Sequence, residues 1–337
     1  MKYFFLLSKL NVKLSRLELY SLLEIYNVKF KKILEKDNII IIETKSNKIE
    51  ELCERSSLIK SSSEIIEKTP VNLGELSKKF SKISWNKWVK APFKLRIRDL
   101  IRAYVKEVTP LEKNLAKYIW KSINNPSVNL KNPKTTIYVF LTNQNFYITK
   151  LIWEVKSHRF RDREPKSKPA FHPTILRPWL ARLLVNLART KKELLDPFCG
   201  TGSVLIEAAL IGAKVTGSDL DTRMLKRAKK NLDFYKLKAE LDKIDATKLS
   251  QHFKKAKSIA TDPPYRRSSF SSKEDISELY NIFLKEVGKI LQGYISLMIP
   301  KGIKINIPES LETVGKADLY VHGSLTRRIL ILKTKYF

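Results

Sequence analysis

Four aspartates, Asp196, Asp219, Asp245 and Asp262, each close a short apolar run. A single strand-end aspartate is often no more than a helix cap. Four of them at successive strand ends would line one edge of a sheet with acceptors for hydroxyls, amines or a cationic ligand. Two of the turns carry more than a carboxylate. "DPFCGTGS", Asp196 to Ser203, puts Gly200 and Gly202 where a backbone can approach a ligand closely. It is G-x-G without the third glycine of a dinucleotide fingerprint, since Leu205 fills that place. Asp219 follows 17 residues after Gly202, at the end of the next strand, where a carboxylate can chelate ribose hydroxyls. Nothing basic lies beside the turn, so a nucleoside with a zwitterionic tail suits it better than a pyrophosphate. "TDPPYRRSSF", Thr261 to Phe270, strings together a carboxylate, two prolines, a tyrosine, Arg266 and Arg267. Such a stretch is ordinary turn chemistry. It is also a stiff mount for a carboxylate and a carbonyl that must be aimed.

Those turns need a frame. From residue 171 the chain alternates strand and helix: "RPWLARLLVNLA" has an apolar helical stripe, then come strand "ELLD", helix "SVLIEAALIGA", strand "KVTGSD", helix "TRMLKRAKKNLDFY", and short strands "KAELDKID" and "KSIATD". A helix over "EDISELYNIFLKEVGKIL", strand "YISLMIP" and an antiparallel pair "KADLYVH" and "RRILILK" follow. Repeated βα units predict an α/β fold with a mostly parallel sheet, and ligands beyond the carboxyl ends of its strands. Residues 1–70 read as β-α-β-β-α-β, the order of a ferredoxin-like module. Residues 71–155 read as a second α/β unit. In it "FKLRIRD" alternates, with Lys94, Arg96 and Arg98 on one side and Phe93, Leu95 and Ile97 on the other. Trp85, Trp88, Tyr118 and Trp120 interleave with its basic residues, and core packing is the first expectation for each. Residues 156–170, "KSHRFRDREPKSKPA", read as a charged linker whose Arg159 and Arg161 could meet a polyanion.

Composition narrows the partners. The 337 residues are 43% hydrophobic and 29% charged, with a net charge of +31. Residues 71–170 carry 22 Lys+Arg against 7 Asp+Glu, the densest positive stretch. Such a field favours polyanionic partners, nucleic acid above all, with an anionic membrane surface as the rival. Two cysteines, Cys53 and Cys199, cannot build a disulfide framework or a Cys-rich metal centre, and no metal is expected. No apolar run approaches a membrane span, so a cytoplasmic protein without a membrane partner is expected.

The motifs resemble a known family. "LLDPFCGTGSVLIEAALIGAKVTGSDLD" resembles the S-adenosylmethionine-binding motif of class I, Rossmann-like methyltransferases. "TDPPY" resembles the D-P-P-Y motif of enzymes that methylate exocyclic amino groups of nucleobases. The upstream "KPAFHPTILRPWLARLLVNLA" is similar to the corresponding segment of tRNA guanine-N2 methyltransferases with a THUMP domain, and "TDPPYRRSS" is nearest to those acting on guanosine 10. The match is tight over residues 168–270, looser beyond, and architectural before 155. Arg266 departs from it, standing where glycine is usual.

The resemblance implies a seven-stranded methyltransferase domain over 171–337 and a THUMP RNA-binding domain over 71–155. It makes Asp262, Pro263 and Tyr265 catalytic: the carboxylate and the Pro263 carbonyl accept the two N–H bonds of the amine, and the tyrosine stacks on the base. It gives S-adenosyl-L-methionine to Asp196, Gly200 and Gly202 at the methionine end, Asp219 at the ribose, and Asp245 at the adenine. His172, Pro173, Phe198, Leu220, Ala246 and Asp262 border it. Lys94, Arg96, Arg98, Arg159, Arg161, Arg266 and Arg267 then contact tRNA. A small activating subunit is a further partner that some lineages of the family use. Other readings are a guanine-N2 methyltransferase at another position such as 6, an adenine-N6 or cytosine-N4 methyltransferase, a catalytically dead RNA-binding protein and, more remotely, a nicotinamide-dependent oxidoreductase.

Overall fold

A computed structural model of the chain describes residues 1–103, 108–173, 175–265, 273–322 and 325–336. Arg266 and Arg267 lie outside them. In chain order the elements begin with β1 (Lys2–Leu7), α1 (Val12–Ile25), β2 (Lys31–Lys36), β3 (Ile39–Glu43), α2 (Ile49–Arg55) and β4 (Ile59–Pro70). This is the β-α-β-β-α-β order read from the sequence. Then come α3 (Leu73–Lys82), β5 (Phe93–Asp99), α4 (Val108–Ser122), β6 (Thr135–Leu141) and β7 (Asn145–Glu154). Helix α3 was not anticipated. Its signal is Asn72, whose side chain accepts the Glu75 amide at 2.9 Å as an N-cap.

The chain forms two compact units. The first holds residues 1–7, 29–54 and 59–155. All seven strands join one sheet, in the order β2-β3-β1-β4-β7-β6-β5. Residues on either side of position 70 therefore share a continuous hydrogen-bonded surface. Every ladder in it is antiparallel except β5 with β6, whose parallel crossover is α4. Strand β5 buries Phe93, Leu95 and Ile97 and turns Lys94, Arg96 and Arg98 the other way, as its alternation requires. Trp85 is fully buried against Phe80, and Trp88 and Tyr118 pack on the same core, whereas Trp120 is 48% exposed.

The second unit holds residues 8–28, 55–58 and 156–337. Its elements are α1, α5 (Pro178–Leu187), β8 (Glu193–Asp196), α6 (Ser203–Ala209), β9 (Lys214–Ser218), α7 (Thr222–Phe234), β10 (Glu240–Asp242), α8 (Leu249–His252), β11 (Ala256–Thr261), α9 (Lys273–Ile290), β12 (Leu291–Pro300), β13 (Leu311–His322) and β14 (Leu325–Thr334). The inclusion of α1 has a physical cause. Leu14 and Leu58 join the core of α5 and α6. The buried Glu18 carboxylate accepts the Ser57 and Leu58 amides, each at 2.7 Å, and the Asn186 side-chain amide at 2.8 Å. Asn186 in turn accepts from Arg55 Nε at 2.9 Å. A carboxylate with three donors tolerates a burial that would otherwise cost several kcal/mol, about 2 or more.

The second sheet has the order β10-β9-β8-β11-β12-β14-β13. The first five strands are parallel, and β14 and β13 close it antiparallel. This is the seven-stranded, mostly parallel sheet that the resemblance implies. Among the described residues no helix is long and apolar enough to cross a membrane.

Candidate active site

Five parallel strands deliver their carboxyl ends to one edge, and three of the four aspartates interact there. Asp196 ends β8 and is 1% exposed. The Thr261 hydroxyl, from the end of β11, donates to it at 2.7 Å, and the Phe198 amide at 3.2 Å. Burial pushes the Asp196 carboxyl up to about 7, and the nearby charges of Asp219 and Asp262 push the same way. Asp219 follows β9. It accepts the Gly200 amide and the Asp221 amide, each at 2.9 Å. One carboxylate thus spans the glycine turn and the start of α7.

The glycine turn is built for close approach. Gly200 has φ +51° and Gly202 +83°, in the left-handed region. A Cβ on Gly200 would meet nothing within 4 Å, so open space lies in front of it. At Gly202 a Cβ would come within 3.3 Å of Ala228 Cβ, so there the glycine serves helix packing. Leu220, 45% exposed, offers an apolar surface beside Asp219, while Ala246 is buried. Phe198 packs edge-on against Phe283, ring centroids 5.0 Å apart. Asp245 acts as the cap of a 3-10 turn, Ala246–Lys248, accepting from the Thr247 amide at 2.9 Å and the Thr247 hydroxyl at 2.8 Å.

The segment carrying His172 and Pro173 is tied to the same turn by Asn231. Its Oδ1 accepts the Ala170 amide at 2.9 Å, and its Nδ2 donates to the Thr201 carbonyl at 3.0 Å. Just upstream, buried Lys168 donates to Ser203 Oγ at 2.9 Å, and desolvation pushes its ammonium down to about 8. His172 is half-buried and Pro173 exposed.

The second turn follows β11. The Tyr265 hydroxyl donates to Asp262 Oδ1. Arg327, on β14, brings Nη1 to 3.5 Å from Asp262 Oδ2 and lays its guanidinium 4.7 Å from the Tyr265 ring centroid. The Tyr280 hydroxyl, from α9, donates to the Pro264 carbonyl at 3.0 Å, fixing the turn in which the Pro263 carbonyl sits. Burial pushes the Asp262 carboxyl up to about 6, with Arg327 and the Tyr265 hydroxyl pulling it down. Burial also pushes the Tyr265 and Tyr280 hydroxyls upward. Asn231, Lys168, Tyr280 and Arg327 were not singled out in the sequence. Tyr280 reads there as one more apolar position of a helix, and Arg327 as half of an Arg-Arg pair on a terminal strand.

Of the expected tRNA contacts, Lys94, Arg96 and Arg98 belong to the first unit and Arg159 and Arg161 to the second. In the first unit Arg96 pairs with Glu112 at 2.9 Å, and Arg98 with Glu154 at 3.1 Å beneath the Tyr138 ring. Lys94 is half-exposed, as is Arg159, whose guanidinium lies 5.5 Å from the Phe160 ring centroid; Arg161 is exposed.

A ligand suited to the sheet edge has a diol for Asp219, slender backbone-hugging chemistry at Gly200 and positive charge for Asp196 and Asp262. S-adenosylmethionine has all three. The comparisons agree with that chemistry. The family described as RMKL-like methyltransferase domain matches residues 165–306, and one described as DNA methylase matches residues 10–230. The tRNA (guanine(10)-N2)-dimethyltransferase of Pyrococcus abyssi is 34% identical over 75% of this chain and 77% of its own length. The protein of that name from Methanothermobacter thermautotrophicus is also 34% identical, over 74% of this chain and 76% of its own. In fold the chain is similar to TrmN from Thermus thermophilus, with a TM-score of 0.57 at 19% identity, covering 99% of this chain and all of that one. The chain belongs to the family of tRNA (guanine(10)-N2)-dimethyltransferases.

Proposed function

We propose that this chain methylates the exocyclic N2 of a guanosine in tRNA, at position 10, in one or two rounds. The observation that carries the reading is the meeting of two turns at one sheet edge: Gly200 held to Asp219, and Asp262 held in a proline turn beside Thr261 and Asp196. S-adenosylmethionine, when bound, supplies an electrophilic methyl on a sulfonium. Asp219 accepts the ribose hydroxyls, the Gly200 backbone lets the methionyl chain pass, and Asp245 accepts from the adenine amine. Asp196 faces the cationic end. His172, Pro173, Phe198, Leu220 and Ala246 close the surround.

The guanine amine is a poor nucleophile because its lone pair is conjugated with the ring. Asp262 and the Pro263 carbonyl accept its two N–H bonds and hold the nitrogen with its lone pair toward the methyl. With S-adenosylmethionine bound, transfer of its sulfonium methyl would develop positive charge on N2. Asp262 stabilises that charge and takes the displaced proton, which its burial makes feasible, before passing it to water. Tyr265 stacks on the base, which must leave its helix to arrive. The first unit acts as a THUMP-bearing RNA platform, with Lys94, Arg96 and Arg98 on its β5 face. Arg159, Arg161, Arg266 and Arg267 are further phosphate contacts. The site of action on this reading is the cytoplasm.

Transfer of labelled methyl to an unmodified tRNA transcript, followed by nucleoside digestion, tests this. The expected products are N2-methylguanosine and N2,N2-dimethylguanosine, both lost when guanosine 10 is replaced. Label that persists in that transcript, that moves with guanosine 6, or that appears on adenine or cytosine amines would overturn the assignment. So would a complete lack of transfer.

A further inference from the structure

We propose that Arg327 is the positioning residue of the Asp262 turn, supplying the counter-charge and the planar support that keep the carboxylate a usable acceptor. The inference rests on the reading of Asp262 as the amine acceptor. Arg327 lies near the start of the last strand, paired with Pro300 at the far end of β12, 65 residues from Asp262 in sequence. Its side chain is 16% exposed, and that of Asp262 14%, so solvent screens the pair weakly. The neighbouring Arg328 shows what an ordinary arginine does on this hairpin. It pairs with Asp318 at 2.8 and 3.2 Å, sharing it with Lys301 at 3.2 Å, one third exposed. Arg327 faces the other way along the same strand, to the β11 turn.

The two oxygens of Asp262 have different partners. Oδ1 receives the Tyr265 hydroxyl and Oδ2 faces Arg327. An incoming amine meets Oδ1 beside that hydroxyl or in its place. Oδ2 need not be surrendered, so Arg327 can hold the plane of the carboxylate while Oδ1 gains or changes partner. The guanidinium also covers one face of Tyr265, 4.7 Å from its centroid, so a stacked base would take the opposite one. The charged or titratable groups facing Asp262 among the described residues are Tyr265 from its own turn, Arg327 from β14, Tyr280 from α9 and Asp196 from β8. Arg327 is the cation among them.

The test is the pH dependence of kcat, with full-length protein, unmodified tRNA transcript and saturating S-adenosylmethionine, over about pH 5 to 9. Saturation matters because Asp196 titrates at about 7 and its protonation would fall on the KM for the cofactor. Wild type is expected to lose kcat as pH falls through about 6, where Asp262 protonates. Arg327→Gln removes a group that favours the ionised form. Its acid limb is expected to move up by roughly one pH unit, making it about tenfold slower than wild type on the acid side beyond any uniform loss. Arg327→Lys keeps the charge but not the planar fork, so its limb stays with wild type while kcat falls on the plateau. An Arg327→Gln profile scaled down equally at every pH overturns the proposal. If that variant does not fold, Arg327→Lys decides alone: a limb displaced upward overturns the counter-charge role, and one left in place supports it. Asp262→Asn separates the two readings. Its profile is expected to be slow and without the acid limb. An acid limb that survives in it means that the amine-acceptor reading itself fails, whatever Arg327 does.

Discussion

The two sheets have the same number of strands and opposite ways of presenting chemistry. In the second, five neighbouring strands are parallel, so their carboxyl ends share one edge, and Asp219 and Asp262 both come within electrostatic reach of Asp196. In the first, all ladders but one are antiparallel, strand ends alternate, and no edge collects them. Its charged residues stand on a face, as Lys94, Arg96 and Arg98 do along β5, each arginine already paired with a glutamate. Parallel pairing concentrates a few carboxylates whose individual loss is costly. Antiparallel pairing spreads many cations whose individual loss is cheap. Mutations in the two sheets should therefore differ in size and in which kinetic step they touch.

The largest expected effect is at Asp262. Asp262→Asn is nearly isosteric and keeps one carbonyl acceptor, so folding and cofactor binding persist. It lacks the charge that stabilises the developing cation on N2. That interaction strengthens in the transition state, so the loss falls on kcat, on the order of 10²-fold. Single-turnover rates with enzyme in excess check this, and a near wild-type rate would refute the mechanism.

Next is Asp219, which touches the ground state instead. Asp219→Ala removes the acceptor expected for the ribose diol and frees the Gly200 and Asp221 amides. Each charge-assisted hydrogen bond contributes roughly 1.5–3 kcal/mol, so S-adenosylmethionine affinity should fall tenfold or more by calorimetry. Circular dichroism should stay unchanged. Unaltered affinity would detach the glycine turn from the cofactor.

How far the sequence reached follows from the same contrast. The βα alternation after residue 171 was legible because helices of period 3.6 alternate with short apolar strands, and the two turns stood out by glycine and proline content. The contacts that finish the site were not. Tyr280 meets Pro264 from 16 residues away, Asn231 meets Thr201 from 30, and Arg327 meets Asp262 across two strands. Nothing local distinguishes these side chains from a core tyrosine, a helix asparagine or a surface arginine. Helix α1 is the clearest case. Its sequence says amphipathic, but only Leu14 in the α5 core and Asn186 donating to Glu18 show that its partner is α5, more than 150 residues on.

A third prediction concerns pH. The Asp196 carboxyl is raised from 3.8 to about 7 in the folded chain. A raised carboxyl favours the folded state below its unfolded value, and that contribution is lost as pH rises through about 7. Ligand-free protein should therefore lose stability between about pH 4 and pH 7, and Asp196→Asn should flatten that part of the profile. A cationic cofactor favours the ionised form, so its affinity should rise with pH over the same window, up to about tenfold per unit. Parallel melting and calorimetry series check both signs. A cofactor affinity that is flat between pH 6 and 8 would separate Asp196 from the ligand.

The smallest effects belong to the first sheet. Lys94→Ala removes a half-exposed cation with no shift in the fold, and one lost phosphate contact lowers the slope of log affinity against log salt by about 1. At moderate salt that is a few-fold loss in tRNA binding, uniform across tRNA sequences, with kcat unchanged. Arg96→Ala and Arg98→Ala should cost still less per charge. Each arginine must leave Glu112 or Glu154 to meet a phosphate, so part of what RNA binding gains is offset by the ion pair it breaks. The glutamates supply the sharper comparison. Glu154→Gln releases Arg98 while leaving the Tyr138 ring beneath it, and tRNA affinity should then rise at low salt. Filter binding over a salt series reads all four variants together. A fall in affinity on Glu154→Gln would mean that the pair, rather than the free cation, is what the RNA meets. A loss of kcat on Lys94→Ala, matching that of the sheet-edge aspartates, would break the division of labour between face and edge.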